Sequence, residues 1–229
     1  MECFVTDLGR YCLGDARKLI GELSDRSVDV IITDPPWGVG FDEYDDLEVF
    51  FELEDEMFRV LKDDSWLVFF FTPKHVLELT RLRKFEYVWM MPYLFWPYGT
   101  LSRNPIGGQA GYSVVMVFRK GKPKIVTSRR DVLLADEIPV LAEGKIKERQ
   151  FKPTYTVQVL VTMFTKEGDL VLDPFAGYGS IPLVCELYGR RWLAFEIDPV
   201  KYAVARKIIT ERKVYNISKL RSTLMRNRA

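Results

Sequence analysis

The chain has 229 residues, which fits one domain or one domain with a modest insert. Its apolar share is 48%, its charged share 28% and its net charge +1, an ordinary balance for a soluble globular protein. No apolar run approaches the ~18 residues a membrane span needs, and a single histidine, His75, excludes a His-rich metal site.

The opening MECFVTDLGR has neither a basic stretch nor an apolar stretch of signal type, so a cytoplasmic location is expected. Cys3, Cys12 and Cys185 are odd in number and lack CxxC spacing. They are expected to be reduced thiols, with no disulfide framework and no zinc site.

No element is predicted ahead of residue 28. Residues 28–33 (VDVIIT) form a short β-branched strand stopped by Pro35 and Pro36. Residues 47–61 have helical periodicity in Leu47, Phe50, Phe51, Met57, Phe58 and Leu61. Residues 66–71 (WLVFFF) read as a buried strand, 74–84 as a helix and 86–96 as a strand. A Gly/Pro loop covers 98–111, and 112–118 returns as the second strand of a hairpin. Residues 119–150 are polar and irregular. Then come a helix over 153–166, a strand over 169–173, a helix after Gly179, a strand over 191–196 and a helix over 198–212. Strands separated by helices predict an α/β fold: a doubly wound, mostly parallel sheet with an antiparallel edge hairpin. In such sheets ligands sit beyond the carboxyl ends of the strands.

Charge is unevenly placed. Residues 41–56 carry Asp42, Glu43, Asp45, Asp46, Glu48, Glu52, Glu54, Asp55 and Glu56 and no base. Residues 119–130 carry Arg119, Lys120, Lys122, Lys124, Arg129 and Arg130 and no acid, and 212–229 is a basic C-terminal tail. The basic stretches are either solvated faces or contacts for a polyanion.

Residues 173–179 (DPFAGYG) join a strand to a helix. Gly177 and Gly179 allow a tight turn and close approach of a ligand. A dinucleotide loop is disfavoured, because Pro182 stands at the third glycine position and Asp173 would repel a pyrophosphate. A carboxylate there suits a cation such as the ammonium of a methionine moiety. Glu196 ends the next strand, where an acid accepts hydrogen bonds from ribose hydroxyls.

Asp34-Pro35-Pro36-Trp37 follows the first strand. An exocyclic base amine is a poor nucleophile, because its lone pair is delocalised into the ring. Two acceptors aimed at its N–H bonds, the Asp34 carboxylate and the Pro35 carbonyl, can turn that lone pair toward a methyl donor. Pro36 removes a competing donor and stiffens the loop. Trp37 offers a face for the base, which must leave its stack to enter.

These motifs resemble the N4-cytosine/N6-adenine amino-methyltransferase family over residues 11–211. The catalytic motif lies ahead of the cofactor motif, the circularly permuted order of the family's beta class. The resemblance implies a Rossmann-like fold in a single domain over 1–229. It also implies S-adenosylmethionine as methyl donor, S-adenosylhomocysteine as product, no metal, and a nucleic-acid substrate. The cofactor set would be Asp15, Asp34, Lys152, Asp173, Pro174, Phe175, Gly177, Gly179, Glu196 and Ile197. For substrate, Trp37, Trp96, Tyr98, Arg103 and Asn104 would lie at the base, and Lys120, Arg129 and Arg130 at phosphates.

The chain departs from the family at Tyr178, where a small polar residue is usual, and lacks the His-x-Thr pattern ahead of Lys152-Pro153. Only 98–111 and 119–150 are available for target recognition, which leaves both DNA and shape-recognised RNA open. Asp in first position leans towards adenine over cytosine. The rival readings are a non-catalytic cofactor-binding subunit, a protein-glutamine methyltransferase and a dehydrogenase. Both intact motifs count against the first. The permuted order and Asp34 count against the second, and Asp173 with Pro182 against the third. A monomer or homodimer without membrane contact is expected.

Overall fold

The computed structural model describes residues 2–40, 43–94, 104–108, 110–134 and 151–213. Its strands are β1 (Glu2–Val5), β2 (Gly9–Leu13), β3 (Val28–Thr33), β4 (Leu61–Phe71), β5 (Glu86–Leu94), β6 (Tyr112–Lys120), β7 (Leu133–Leu134), β8 (Leu170–Asp173) and β9 (Arg191–Glu196). Its helices are α1 (Ala16–Leu19), α2 (Glu48–Glu52), α3 (Glu54–Val60), α4 (Thr154–Phe164), α5 (Ser180–Leu187) and α6 (Pro199–Glu211), with 3₁₀ helices over Ile20–Glu22 and Pro73–Arg81. Among the described residues no helix is long and apolar enough to cross a membrane.

All the strands join one sheet in the order β1-β2-β9-β8-β3-β4-β6-β5-β7. The central pairings β2–β9, β9–β8, β8–β3 and β3–β4 are parallel, and β6 is antiparallel to both β4 and β5. Side chains alternate across the sheet. Val30, Ile32, Val68 and Phe70 pack under α4, α5 and α6. Ile31, Leu67, Phe69 and Phe71 pack on the other face against α1, α2 and α3. Central strands covered on both faces account for the unbroken apolar runs of β3 and β4. The doubly wound fold with a β5–β6 hairpin is therefore the observed one.

Several local expectations differ. The 47–61 segment is two helices, because Leu53 leaves helical geometry at φ −86°, ψ −3° between α2 and α3. The 74–84 segment is a 3₁₀ helix. Its inward residues Val76, Leu79 and Leu82 recur every third position, which matches three residues per turn. The irregular 119–150 stretch contributes β7, a parallel edge strand on β5.

The N-terminal hairpin β1–β2 was not expected. It brings Cys3 opposite Cys12, and the two form a disulfide, contrary to the expectation of free thiols. That pairing follows from strand register, which a search for close cysteine spacing does not test. Cys185 is buried and free.

The chain reverses its winding between β8 and β3. From β3 it proceeds outward to β4, and from β8 it proceeds the other way to β9. The carboxyl ends of these two neighbours form the topological switch point, where open α/β sheets bind ligands.

Candidate active site

Asp173 at the end of β8 is almost fully buried. Its Oδ1 accepts a 2.6 Å hydrogen bond from the Thr33 hydroxyl and a longer one, 3.3 Å, from the Phe175 N–H. Burial pushes the Asp173 carboxyl up to about 8; the charges of Asp34 and Glu196 add to this, while the Thr33 and Phe175 hydrogen bonds oppose it. On the next strand, Glu196 accepts N–H donors from Gly177 at 2.7 Å and Asp198 at 2.8 Å, one on each oxygen. Burial again raises its pKa, opposed chiefly by the Asp198 N–H, Lys201 and the Gly177 N–H. Each Glu196 oxygen has a second lone pair left for a hydroxyl donor.

The two glycines of the β8–α5 loop have different duties. Both have positive φ, 54° at Gly177 and 80° at Gly179. A Cβ at Gly177 would meet nothing within 4 Å, so that backbone borders open space. A Cβ at Gly179 would come within 3.0 Å of Ile209 and 3.1 Å of Ala205, so Gly179 lets α6 approach. The Gly177 carbonyl accepts from the buried Tyr11 hydroxyl at 2.5 Å. Tyr178 lies in the core under α4–α6, which reconciles its bulk with the loop. Pro174 is buried, Phe175 half-buried with its ring 6.5 Å from that of Phe50, and Ile197 exposed.

Asp15 ends the connection from β2, next to Glu196, whose carbonyl accepts the Gly14 N–H. Its carboxylate caps α1 by accepting the Arg17 N–H at 2.9 Å and also pairs with the Arg17 guanidinium, which holds its pKa below the usual range.

Asp34, immediately after β3, is half-buried. Its Oδ2 pairs with the Lys152 ammonium. Its Oδ1 is shut off from solvent and has no hydrogen-bond partner among the described residues; the same holds for the Trp37 indole nitrogen. Burial raises the Asp34 pKa, with Lys152 the first opposing charge, followed by the nearby Trp37 side chain and Lys201. The Lys152 Nζ lies 5.1 Å from the ring centroids of both Trp37 and Phe70. Lys152, expected among the cofactor ligands, pairs with Asp34, a member of the same expected set. Tyr93 of β5 closes this side; burial and the Asp34 charge raise its phenol pKa.

Two groups were missed in the sequence. Asp45 accepts the N–H groups of Trp37 (2.7 Å), Gly38 (3.0 Å) and Val39 (2.9 Å), and so folds the segment after Pro36 around one carboxylate. The signal was an aspartate a few residues past a glycine-bearing turn, hidden within the acidic run. Lys201, on the first turn of α6, lies near both Asp34 and Glu196.

The proposed substrate contacts fare unevenly. Lys120 is buried; its ammonium donates to the carbonyls of Phe58 (2.9 Å) and Leu61 (2.6 Å) at the end of α3, so it is a helix-end anchor and unavailable to phosphate. Asn104 Oδ1 accepts the Gly108 N–H at 2.9 Å, closing its own turn. Arg129 and Arg130 are exposed. Trp96, Tyr98 and Arg103 lie outside the described residues, as do half of 98–111, all of 135–150 and the tail beyond Lys213.

Residues 147–207 match a family described as DNA methylase, of N6/N4 type. Residues 2–98 match one described as an RMKL-like methyltransferase domain. The Type II methyltransferase M.BamHI of Bacillus amyloliquefaciens is 29% identical over 85% of this chain. The chain is thus similar to DNA methyltransferases of N6/N4 type in its C-terminal part and along most of its length. In chain order the strand ahead of Asp34, β3, precedes the strand of Asp173, β8, as the expected motif order requires. The chain spans 56% of the length of M.BamHI. Its fold is shared with the cytosine-N4-specific PvuII DNA methyltransferase, at TM-score 0.70 and 18% identity over 95% of this chain and 94% of that one. It is shared also with M1.HpyAVI in complex with SAM, at TM-score 0.68 and 20% identity over 87% and 98%.

Proposed function

We propose that this protein transfers the methyl group of S-adenosylmethionine to the exocyclic amino group of a base in DNA, adenine N6 or cytosine N4. One observation carries this reading. An acceptor pair for an amine, Asp34 and the following Pro35 carbonyl, stands beside a buried acid at the switch point, with Thr33 and Asp173 hydrogen-bonded across the boundary.

The residues present fit the methyl donor. Asp173 offers a carboxylate to its ammonium, Glu196 offers spare lone pairs to its ribose hydroxyls, and the open backbone at Gly177 allows close approach. Asp15, Phe175 and Ile197 line the way to its adenine. Bound, this group supplies an electrophilic methyl on a sulfonium, and no metal is required.

Asp34 Oδ1 and the Pro35 carbonyl accept the two N–H bonds of the target amine and direct its lone pair. An acceptor left unpaired in a buried place costs about 1–3 kcal/mol, which an arriving N–H donor relieves. Because Oδ1 is shut off, a base reaches it only with movement of neighbouring side chains, the half-buried Trp37 indole among them. Trp37 then stacks on the base, which has left its helix. Asp34 or solvent takes the proton released as the amine is methylated. Positioning and fixed charge do the remainder.

The test is incubation of the protein with methyl-labelled S-adenosylmethionine and unmodified DNA or total RNA, followed by nucleoside analysis. Label in N6-methyldeoxyadenosine or N4-methyldeoxycytidine, abolished by Asp34→Ala with cofactor binding retained, is the expected result. Label only in a ribonucleoside would move the same chemistry to structured RNA. Full transfer by Asp34→Ala would overturn the assignment of Asp34.

A further inference from the structure

The geometry points to Lys152 as a positioning residue for the transfer: its ammonium fixes Asp34 Oδ2 and keeps the carboxylate charged, leaving Oδ1 as the acceptor for the amine. This rests on the reading of Asp34 above and deepens it.

Asp34 has a structural problem that Lys152 answers. Asp34, Asp173 and Glu196 stand at the ends of β3, β8 and β9; burial raises the pKa of Asp34, and the charges of Asp34 and Glu196 raise that of the buried Asp173 between them. A protonated Asp34 would present a hydroxyl donor to an amine that needs an acceptor. The groups facing Asp34 are Lys152 ahead of α4, Lys201 on α6, Asp173 on β8, Tyr93 on β5 and the Trp37 indole. Among the described residues, Lys152 makes a direct ion pair with it.

The lysine is itself built in. It is 6% exposed, and its ammonium lies between two aromatic faces, Trp37 and Phe70, each 5.1 Å away. Ring faces attract a desolvated cation, and the carboxylate completes its pairing. The ammonium therefore ties Asp34 to Trp37, the acceptor to the proposed stacking ring. Pairing at Oδ2 leaves Oδ1 as the oxygen without a hydrogen-bond partner among the described residues.

The experiment compares wild type, Lys152→Met and Lys152→Arg. Asp34 is followed in substrate-free protein by NMR titration of ¹³C-carboxyl-labelled aspartate, assigned with Asp34→Asn. The pH profile of kcat/KM for unmethylated DNA is measured at saturating S-adenosylmethionine, so that the titration of Asp173 does not set its acid limb, and S-adenosylhomocysteine affinity by calorimetry. In Lys152→Met, the Asp34 titration and the acid limb of kcat/KM should both move up by about one pH unit or more. Lys152→Arg should hold both near wild type, and cofactor affinity should stay within about twofold in each variant. An unmoved Asp34 titration in folded Lys152→Met would overturn the inference. So would a loss of cofactor affinity with an unchanged pH profile, which would make Lys152 a cofactor ligand. If wild type methylates no DNA or RNA, the proposed function fails, while the NMR titration still decides the role of Lys152.

Discussion

The Thr33 hydroxyl donates a 2.6 Å hydrogen bond to the Asp173 carboxylate across the boundary between two parallel strands, although the residues are 140 positions apart. Thr33 immediately precedes Asp34, and Asp173 opens the DPFAGYG loop. The bond ties the mouths of the two strands together. The permuted chain achieves this by inserting its late strand β8 between β9 and the early strand β3.

Asp173 should make cofactor binding depend on pH. Its carboxyl is raised from an ordinary 3.8 to about 8, so below about pH 8 the free folded protein holds a proton there. The unfolded chain has lost that proton above its ordinary value. The stabilisation from this group is therefore complete in acid and is lost as pH rises through about 8. A ligand ammonium beside Asp173 needs the ionised form. Affinity for S-adenosylhomocysteine should rise by up to roughly tenfold per pH unit toward that value and then level off, with proton release at neutral pH. Calorimetry in buffers of different ionisation enthalpy reads both effects. Asp173→Asn should bind weakly and without the slope.

Asp45 should matter to transfer more than to folding. It gathers three N–H groups of the Trp37–Val39 turn, which no carboxamide can do with its single acceptor oxygen. Asp45→Asn should lower kcat by about tenfold or more through a displaced Trp37, with S-adenosylhomocysteine affinity kept. A kcat equal to wild type would remove Asp45 from the positioning role.

The sequence reveals the central sheet well and its margins poorly, for a physical reason. Strands such as VDVIIT and RWLAFE are buried on both faces, so their composition alone marks them. The hairpin β1–β2 at the sheet margin has strands of only 4 and 5 residues, too short to show a period of their own, and the register of β2 on β9 gives it a place. In the site, Asp34, Asp173 and Glu196 were legible because each ends a recognisable strand. Asp45, Lys201 and the pairing of Lys152 with Asp34 were not, since each acts through a contact that the fold alone creates. Lys120 misled for the same reason: a basic run says nothing about which member turns inward to cap a helix.

The Cys3–Cys12 link closes the β1–β2 hairpin across paired positions of its strands. Oxidised protein unfolded in denaturant should titrate one thiol, Cys185, and reduced protein three. Native Cys185 should react slowly, because burial pushes its thiol pKa up and withholds it from reagents. A bridge over so short a loop stabilises by about 2–3 kcal/mol in the chain-entropy account. Reduction should accordingly lower the melting temperature, read by calorimetry with and without reductant. Three reactive thiols in protein never exposed to reductant would mean that the hairpin holds without the bond.

The two loop glycines should separate stability from binding. Gly179→Ala puts a Cβ at φ 80° within 3.0 Å of Ile209 and 3.1 Å of Ala205, so it suffers both left-handed strain and a clash with α6. Its cost should be about 2–4 kcal/mol. Gly177→Ala meets no atom within 4 Å and carries only the strain of φ 54°, about 1 kcal/mol. Its methyl would instead project into the open space where the proposed cofactor approaches. Denaturant unfolding should therefore rank Gly179→Ala as the less stable variant. S-adenosylhomocysteine titration should rank Gly177→Ala as the weaker binder per unit of stability lost. Equal effects of the two substitutions in both measurements would mean that Gly177 serves the turn alone and that the cofactor lies elsewhere.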